Sequence, residues 1–132
     1  MVLVDSSVWV DFFSRAPGTA GFELRRMMED SEPIALTGII VAEVLQGLRR
    51  DFDRIEYELS RWDLLEPRGF TTYRDAAMLY RLARSRGVTL TTVDALIATL
   101  ALEGGATLFT LDRDFEQIRS FTNLKVHRAR AN

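Results

Sequence analysis

The segment Met1-Val2-Leu3-Val4-Asp5-Ser6-Ser7 opens the chain with an apolar run that leads directly into a carboxylate and two hydroxyls. A short apolar run of this kind predicts a buried strand, and Asp5 would then lie at its carboxyl end. In a parallel α/β sheet, ligands bind at the carboxyl ends of the strands, so Asp5 is a candidate site residue. The simpler alternative is that Asp5, Ser6 or Ser7 caps a helix over Val8–Phe13. Acids at other strand ends would favour the site.

The composition is that of an ordinary globular domain. With 132 residues, of which 47% are hydrophobic and 27% charged, the chain fits a single domain over residues 1–132 with its own core. The absence of cysteine excludes disulfides and zinc–thiolate sites, and it fits a cytoplasmic location. No signal peptide and no membrane-spanning stretch is expected, because the apolar runs are too short.

The charge balance argues against a surface that is basic overall. The formal net charge is −2 and the sequence pI is about 5.4, which disfavours binding of nucleic acid by bulk attraction but leaves room for a local site. The basic residues are sixteen arginines and one lysine, Lys125. Arginine suits bidentate contacts to phosphate, although compositional bias of the coding DNA explains the excess equally well.

The second informative stretch is Ile39–Leu48, which is apolar nearly all round and yet contains Glu43. Such a segment predicts a largely buried helix, with Thr37 placed to cap it. An ionised carboxylate in that setting is costly unless it is paired, hydrogen-bonded or bound to a metal. A salt bridge from Glu43 to Arg49, Arg50 or Arg54 is the structural alternative to a functional site.

A similar helix is predicted over Thr91–Leu102, again apolar and again with one acid, Asp94, in its first turn. If Thr91 is the N-cap, Asp94 occupies the third helical position, where a carboxylate can complete a capping box and interact favourably with the helix dipole. From its position alone, Asp94 is explained equally well as part of the helix cap and as a site residue.

A further strand, Ala106–Leu111, delivers two more carboxylates at its end, Asp112 and Asp114. Asp114 is placed to cap a helix over Phe115–Phe121, but it is also a candidate ligand of a metal site. Asp112 has no such structural explanation. It is therefore the stronger site candidate of the two.

The remaining patterns complete an α/β fold. We expect helices over 22–29, 51–62 and from Thr71 or Thr72 to Arg86, a loop over 14–21, and strands at 34–36, 64–65 and 124–126. Alternation of strands and helices implies a three-layer fold with a central, mostly parallel sheet flanked by helices. Right-handed crossovers then place every carboxyl end on one edge of the sheet.

Four acids would meet at that edge, namely Asp5, Glu43, Asp94 and Asp112. No lysine or histidine is near them in sequence, so as bare anions they would repel one another. Oxygen ligands of this kind suit Mg²⁺, or Mn²⁺, rather than zinc. Divalent ions held in this way promote phosphodiester cleavage, because they acidify water and neutralise the leaving oxygen.

These motifs together resemble the signature of PIN domains, and more narrowly that of the VapC toxins of VapBC toxin–antitoxin pairs. The resemblance rests on Val-Leu-Val-Asp5-Ser-Ser7-Val-Trp, Glu43 in its apolar helix, Asp94-Ala-Leu-Ile-Ala, and Leu-Phe-Thr110-Leu-Asp112-Arg-Asp114-Phe, and it runs from Val2 to about Val126. It implies a Mg²⁺-dependent endoribonuclease in which Asp5, Glu43, Asp94 and Asp112 hold the metal and Asp114 sometimes adds a fifth ligand. Ser7 and Thr110 are implied to orient carboxylates or water.

The resemblance also implies partners. A small VapB-type antitoxin would lay its C-terminal segment in an apolar groove, which Trp9, Phe12, Phe13 and the Ile39–Leu48 helix could line, and a homodimer is expected. Each of these apolar residues taken singly is explained as well by an ordinary core. RNA recognition is assigned to a local basic rim of Arg15, Arg49, Arg50 and Arg113.

The sequence allows three alternatives to a toxin nuclease. A receiver domain of a signalling pair has a similar length and an acidic Mg²⁺ pocket, but it needs paired acids after the first strand and a lysine near the last. Here Ser6 follows Asp5, and the lysine lies inside the last strand. A PIN-like chain that binds RNA or a partner without cleaving it, and a PIN nuclease of RNA processing outside any toxin pair, remain as alternatives.

Overall fold

A computed structural model describes residues 1–129. The expected domain of residues 1–132 also includes 130–132, which lie outside the described residues. The strands are β1 (Val2–Val4), β2 (Ile34–Leu36), β3 (Asp63–Leu64), β4 (Thr107–Phe109) and β5 (Lys125–His127). The helices are α1 (Ser6–Phe13), α2 (Thr19–Glu29), α3 (Gly38–Gln46), α4 (Phe52–Ser60), α5 (Phe70–Ser85), α6 (Thr92–Gly104) and α7 (Arg113–Arg119).

The five strands form one sheet in the order β3-β2-β1-β4-β5, and every pairing in it is parallel. β1 is central and has β2 and β4 as its neighbours, with Val4 opposite Phe109. The ladder continues one step beyond β1, because the Asp5 N–H donates to the Phe109 carbonyl over 2.9 Å. The predicted α/β fold with a parallel central sheet is confirmed.

The core is built on the two central strands and on α6. Leu3, Val4, Leu108 and Phe109 are fully buried, which fits strands covered on both faces. All seven residues from Ala95 to Ala101 in α6 are buried as well. No helix of residues 1–129 is both long enough and apolar enough to cross a membrane.

The predicted elements are present, but several of their ends differ. β3 and β5 each lie one residue from the predicted strands, a shift within the usual uncertainty of such ends. The long helix α5 begins at Phe70, after Gly69, so neither Thr71 nor Thr72 caps it. Thr72 is instead fully buried, and its hydroxyl donates to Glu103 Oε2 over 3.0 Å.

α2 begins at Thr19, three residues earlier than predicted. The reason is a tertiary contact from the preceding helix: the Asp11 carboxylate accepts hydrogen bonds from the N–H groups of Gly18 and Gly21 at 3.0 and 2.8 Å. The carboxylate therefore satisfies the free donors at the start of α2, a role that local sequence does not reveal. Gly21 has no room for a side chain, since a Cβ there would lie 2.9 Å from Pro17 Cβ.

α3 is less buried than its apolar sequence predicted. Only Ile40 and Val44 of this helix are buried, whereas Val41 and Leu45 are half-buried and Ala42 is exposed. The prediction of a largely buried helix is therefore wrong for one side of α3. Its N-cap was predicted correctly, because the Thr37 hydroxyl accepts from the Ile40 N–H over 3.2 Å.

Candidate active site

Asp5 lies at the end of the central strand, where it is 6% exposed. Its Oδ2 accepts hydrogen bonds from the Thr110 hydroxyl at 2.8 Å and from the Ser7 hydroxyl at 3.2 Å. Asp5 occupies the N-cap position of α1, but its side chain makes no capping hydrogen bond within the described chain. The capping alternative for Asp5 therefore fails, and its carboxylate is held by groups that lie at the sheet edge.

Thr110 and Ser7 tie the ends of β1 and β4 together. The Thr110 hydroxyl accepts from the Asp112 N–H over 3.0 Å while it donates to Asp5. The Ser7 hydroxyl accepts from the Leu111 N–H over 3.1 Å. Each hydroxyl thus contacts the Asp5 carboxylate and a backbone group of the segment after β4, which fixes Asp5 relative to Asp112.

Asp112, not Asp114, caps α7. The helix begins at Arg113, and Asp112 Oδ1 accepts from the Asp114 N–H over 2.9 Å. The prediction that Asp114 caps this helix is wrong, because the helix starts two residues earlier than the apolar pattern suggested. Asp114 therefore lies in the first turn of α7 with its carboxylate available for other contacts.

Three carboxylates at this edge are close enough to share one ion. Ligand oxygens of Asp94, Asp112 and Asp114 all lie within 4.8 Å of one another, and all three residues are half-buried. Carboxylate oxygens at such separations are the ligands that Mg²⁺ and Mn²⁺ accept. The donor set therefore fits a hard divalent cation.

Glu43 projects from α3, where it is half-buried. Its Oε1 accepts a hydrogen bond from the Ser6 hydroxyl at 3.3 Å. No salt bridge of Glu43 is found in the described chain, whereas Arg50 and Arg54 both contact the Asp51 carboxylate, at 3.7 and 3.3 Å. The salt-bridge alternative for Glu43 is thus wrong for residues 1–129.

Asp94 has both of the roles that its position allows. Thr91 is the N-cap of α6, and its hydroxyl accepts from the Asp94 N–H over 3.0 Å. Hydrogen bonds from the Thr91 hydroxyl and N–H also act on the Asp94 carboxyl and oppose the rise of its pKa. The same carboxylate reaches Asp112 and Asp114, so the cap and the acidic cluster share one residue.

Burial and mutual repulsion raise the pKa of three of these acids. Burial raises the pKa of Asp5 above its ordinary value, against the hydrogen bonds that it accepts, and the charge of Asp112 raises it further. Burial likewise raises the pKa of Glu43, and the charges of Asp5 and Asp94 add to this effect. For Asp94 the causes of the raised pKa are burial first, then the charges of Asp112 and Asp5.

These charge effects connect all four predicted acids into one site. Each raised pKa means that the ionised carboxylate is disfavoured in its surroundings. The positive charge of a bound divalent cation would favour the ionised form and lower these pKa values instead. Asp5 and Asp112 come from the ends of strands, whereas Glu43 and Asp94 come from helices. The four side chains therefore lie near enough to one another for their charges to interact.

The predicted arginines are more dispersed. Arg15, Arg49, Arg50 and Arg113 are all exposed, and Arg113 is the first residue of α7, beside Asp112. Arg49 and Arg50 line a cavity of about 620 Å³, the other lining residues being Val10, Phe13, Ser14, Val44, Gly47, Leu48, Asp51 and Ile55. Asp51 partly neutralises Arg50, so this rim is less basic than the sequence suggested.

Ser6 takes part in the site in a way that the sequence does not predict. Its position indicates only a cap of α1, yet its hydroxyl donates to Glu43, which is 37 positions away in sequence. A serine after a strand-terminal acid gives no indication of which helix will pack against it. The packing of α1 on α3, which brings the two residues together, was not predicted.

Comparison with known proteins places the chain in a family. The family model described as PIN domain matches residues 2–120. Ribonuclease VapC11 of Mycobacterium tuberculosis and VapC ribonuclease Mb1587 of Mycobacterium bovis are each 35% identical to the chain over 130 residues, which covers 96% of this chain and 97% of theirs.

Solved structures share the fold. A crystal structure of VapBC2 from Rickettsia felis, bound to a DNA fragment of its promoter, matches with a TM-score of 0.75 at 20% identity, and covers 98% of this chain and 100% of that one. A DNA-bound VapBC from Salmonella typhimurium matches with a TM-score of 0.75 at 15% identity over 96% of both chains. The profile match, the 35% identity over nearly the whole length and the common fold agree with the resemblance seen in the motifs. This chain belongs to the PIN-domain family and, within it, to the VapC ribonucleases.

Proposed function

We propose that the chain is the endoribonuclease toxin of a type II toxin–antitoxin pair, and that it hydrolyses RNA phosphodiester bonds at the carboxyl edge of its sheet. The observation that carries this proposal is the convergence of Asp5, Glu43, Asp94 and Asp112 from four separate segments. The VapC relatives, which are named as ribonucleases, support RNA as the substrate. The proposed location is the cytoplasm, where such a substrate is available.

Mg²⁺ is the proposed cofactor, and Mn²⁺ is an alternative. Asp5, Asp94 and Asp112 would hold it directly or through water, and Asp114 would be an additional ligand. When bound, the ion supplies positive charge against the phosphate and lowers the pKa of water in the site. Thr110 and Ser7 already hold Asp5, and helix capping already holds Asp112, so these two carboxylates would lose little conformational freedom when the ion binds.

Glu43 is proposed to position and deprotonate the attacking water. A general base needs a pKa near the working pH, and burial together with the charges of Asp5 and Asp94 moves the pKa of Glu43 upward in that direction. Attack by water breaks the bond to the 3′ oxygen, so the products carry a 5′-phosphate and a 3′-hydroxyl. A 2′,3′-cyclic phosphate product would contradict water as the nucleophile.

The proposed protein partner is a VapB-type antitoxin. The cavity of about 620 Å³ between α1, α3 and α4 has an apolar floor, and α3 contributes both Glu43 and part of the lining of this cavity. Phe13 lines it, whereas Trp9 is fully buried and belongs to the core. We propose that a peptide segment of the antitoxin extends from this groove along α3 to Glu43, where a basic side chain would pair with the acids.

A homodimer is also proposed. The helix α5 exposes an unusual number of large apolar side chains for one element, namely Phe70, Tyr73, Met78 and Leu82. Tyr73 also lines a cavity of about 330 Å³ against α6. We propose α5 as the surface between two copies, and Tyr73→Glu, checked by light scattering, is expected to give a monomer.

The proposed RNA contacts are the exposed arginines Arg15, Arg49, Arg50 and Arg113. Because the net charge is −2, these contacts would act locally rather than through bulk attraction. Charge reversal at these positions is expected to weaken RNA binding and cleavage. Unchanged binding and cleavage would remove them from the proposal.

The deciding experiment is cleavage of total RNA by the purified chain with Mg²⁺, beside an EDTA control and Asp5→Ala. Discrete fragments that require both the metal and Asp5 are expected, and Asp75→Ala, which removes a half-buried acid of α5 that pairs with Arg74, should cleave like the wild type. Absence of cleavage by a folded chain that binds Mg²⁺ in calorimetry would favour a non-cleaving binding module. Cleavage by a chain with no neighbouring antitoxin gene would favour an RNA-processing nuclease.

A further inference from the structure

The two serines after Asp5 contact different acids. The Ser7 hydroxyl donates to Asp5, whereas the Ser6 hydroxyl donates to Glu43 Oε1 over 3.3 Å. Within residues 1–129, this contact is the one hydrogen bond that the Glu43 side chain accepts, and it is also the one that the Ser6 hydroxyl makes. Ser6 therefore links the first helix to the acid of the third.

Folding of α1 does not require the Ser6 hydroxyl. Ser6 is the first residue of α1, where the helix needs no side-chain partner, and the helix is anchored through the buried residues Val8 and Trp9. The Trp9 indole N–H, for example, donates to the Val4 carbonyl over 3.1 Å. The one described contact of the Ser6 hydroxyl thus lies at the site and not in the core.

The Glu43 side chain has more conformational freedom than the aspartate side chains of the site. The Asp5 carboxylate accepts two side-chain hydrogen bonds and that of Asp112 accepts one from the Asp114 N–H, whereas a glutamate side chain has an additional rotatable bond and loses more rotamer freedom when it is fixed. The charges of Asp5 and Asp94 oppose the ionised form of Glu43 in its observed place. The hydrogen bond from the Ser6 hydroxyl acts against this repulsion, because it favours the ionised form of Glu43.

We propose that Ser6 is a positioning residue that holds Glu43 in the orientation needed to receive a proton from the attacking water. The inference rests on the proposed function in one respect, the role of Glu43 as base. The hydrogen bond between Ser6 and Glu43 is a feature of the structure and does not depend on the proposed reaction.

The test compares Ser6→Ala with Ser6→Thr, which keeps the hydroxyl. The probe is a labelled oligoribonucleotide that spans a site mapped with the wild type in total RNA, cleaved in the presence of Mg²⁺. For Ser6→Ala we expect kcat to fall about tenfold, the loss of one hydrogen bond to a charged group, with KM within about twofold. Ser6→Thr should recover most of the loss, and Ser60→Ala, which removes an exposed hydroxyl at the end of α4, should change neither constant.

A double-mutant cycle shows whether Ser6 acts through Glu43. In a Glu43→Gln background, Ser6→Ala should cause no further loss, because the base that it positions is already gone. The same tenfold loss in that background, an unchanged kcat in Ser6→Ala, or no recovery with Ser6→Thr would each overturn the proposal.

A second readout needs neither metal nor RNA. The carboxyl ¹³C signal of Glu43, observed by NMR in the metal-free protein, should move in Ser6→Ala and return in Ser6→Thr, while the dispersion of the amide signals stays that of the folded chain. An unmoved signal overturns the contact. If the wild type does not cleave RNA, the proposed function fails while this NMR comparison still decides whether Ser6 holds Glu43.

Discussion

The helices α3 and α6 are alike in sequence and different in surroundings. Both are strongly apolar, both start at the carboxyl edge of the sheet, and both are capped by a threonine, Thr37 or Thr91, whose hydroxyl accepts from the third helical N–H. Each carries one acid of the site, Glu43 or Asp94. Yet α6 is enclosed over seven consecutive residues, whereas α3 has only two buried residues.

The difference shows that apolar composition alone does not distinguish a core helix from a helix at an interface. Half-buried Val41 and Leu45 on α3 are as apolar as the buried Ile97 and Leu100 on α6. The half-buried apolar residues of α3 pack against the outside of the core, whereas the central residues of α6 lie within it. α6 is therefore a core helix, whereas α3 lies at the edge of the core, where Val44 also lines the groove proposed for the antitoxin.

The two acids also differ in length, in a way that matches their positions. Asp94 lies in the first turn of α6, whereas Glu43 lies in the second turn of α3, farther from the sheet edge. Helical side chains point toward the N-terminus, so the additional methylene of Glu43 extends its carboxylate back toward the edge. A short acid in the first turn and a longer one in the second can thus reach the same site.

The largest expected effect comes from removing either acid. Glu43→Gln should lower the rate of RNA cleavage by about 10²–10⁴-fold, the range for a lost acid–base group. Asp94→Asn, which removes a proposed metal ligand, should cause a loss of the same order if both helices serve one site. Asp114→Asn should be milder, and Asp75→Asn, at an acid of α5 that pairs with Arg74, should be neutral. Rates measured under the same Mg²⁺ concentration test this ranking. Equal losses at Asp114 and Asp94 would contradict it, and a neutral Glu43→Gln would remove α3 from the site.

A matched pair of leucines tests the difference in burial. Leu100→Ala in α6 removes a side chain that is 3% exposed and should lower the free energy of unfolding by about 2–5 kcal/mol. Leu45→Ala in half-buried α3 should cost about 1 kcal/mol or less. Urea unfolding monitored by circular dichroism gives both values. Similar losses would mean that α3 belongs to the core after all.

The caps should separate stability from function. Thr37→Ala and Thr91→Ala should each cost about 1 kcal/mol of stability, since each leaves a helical N–H without its acceptor. Only Thr91→Ala should also slow RNA cleavage, because the Thr91 hydroxyl and N–H contact the Asp94 carboxyl. Thr91→Ser serves as the control that keeps the cap. A cleavage defect in Thr37→Ala, with stability accounted for, would contradict this assignment.

The smallest effect is expected from pH in the absence of metal. The raised pKa values of Asp5, Glu43 and Asp94 mean that the folded chain binds protons more readily than the unfolded one. Stability of the metal-free chain due to these groups should therefore rise as the pH falls from neutral through those raised pKa values, and level off below the ordinary values. Thermal unfolding between pH 7 and 4 should show a shallower rise for Asp94→Asn. The same dependence of stability on pH in wild type and variant would mean that ionised Asp94 is not repelled by its neighbours.

Affinity for Mg²⁺ should change with pH in the opposite direction. The ion binds ionised carboxylates, so calorimetric affinity should weaken as the pH falls through the same range. Saturating Mg²⁺, at about a hundred times its dissociation constant, should add about 2.7 kcal/mol of stability to the wild type. A folded chain that gains none would not hold the ion at this site.

Sequence patterns predicted the parallel sheet, the helices and the meeting of the four acids, because these follow from local periodicity and from the handedness of parallel crossovers. They did not predict that Asp11 caps α2 or that Ser6 contacts Glu43, since both contacts depend on how helices pack. The cap of α7 was assigned to Asp114 instead of Asp112 because helix ends are poorly defined by apolar spacing. The open side of α3 was missed because burial is a tertiary property.

The hydrogen bond between Thr110 and Asp5 joins residues that are 105 positions apart, across the pairing of the first and fourth strands. A ribosome adds about 5–20 residues per second, so at least about 5 s pass between the synthesis of Asp5 and the synthesis of Thr110. A nascent chain therefore carries Asp5 but no assembled site. For a nuclease whose proposed substrate is RNA, this order of synthesis delays assembly of the site until translation of its own message has passed the fourth strand.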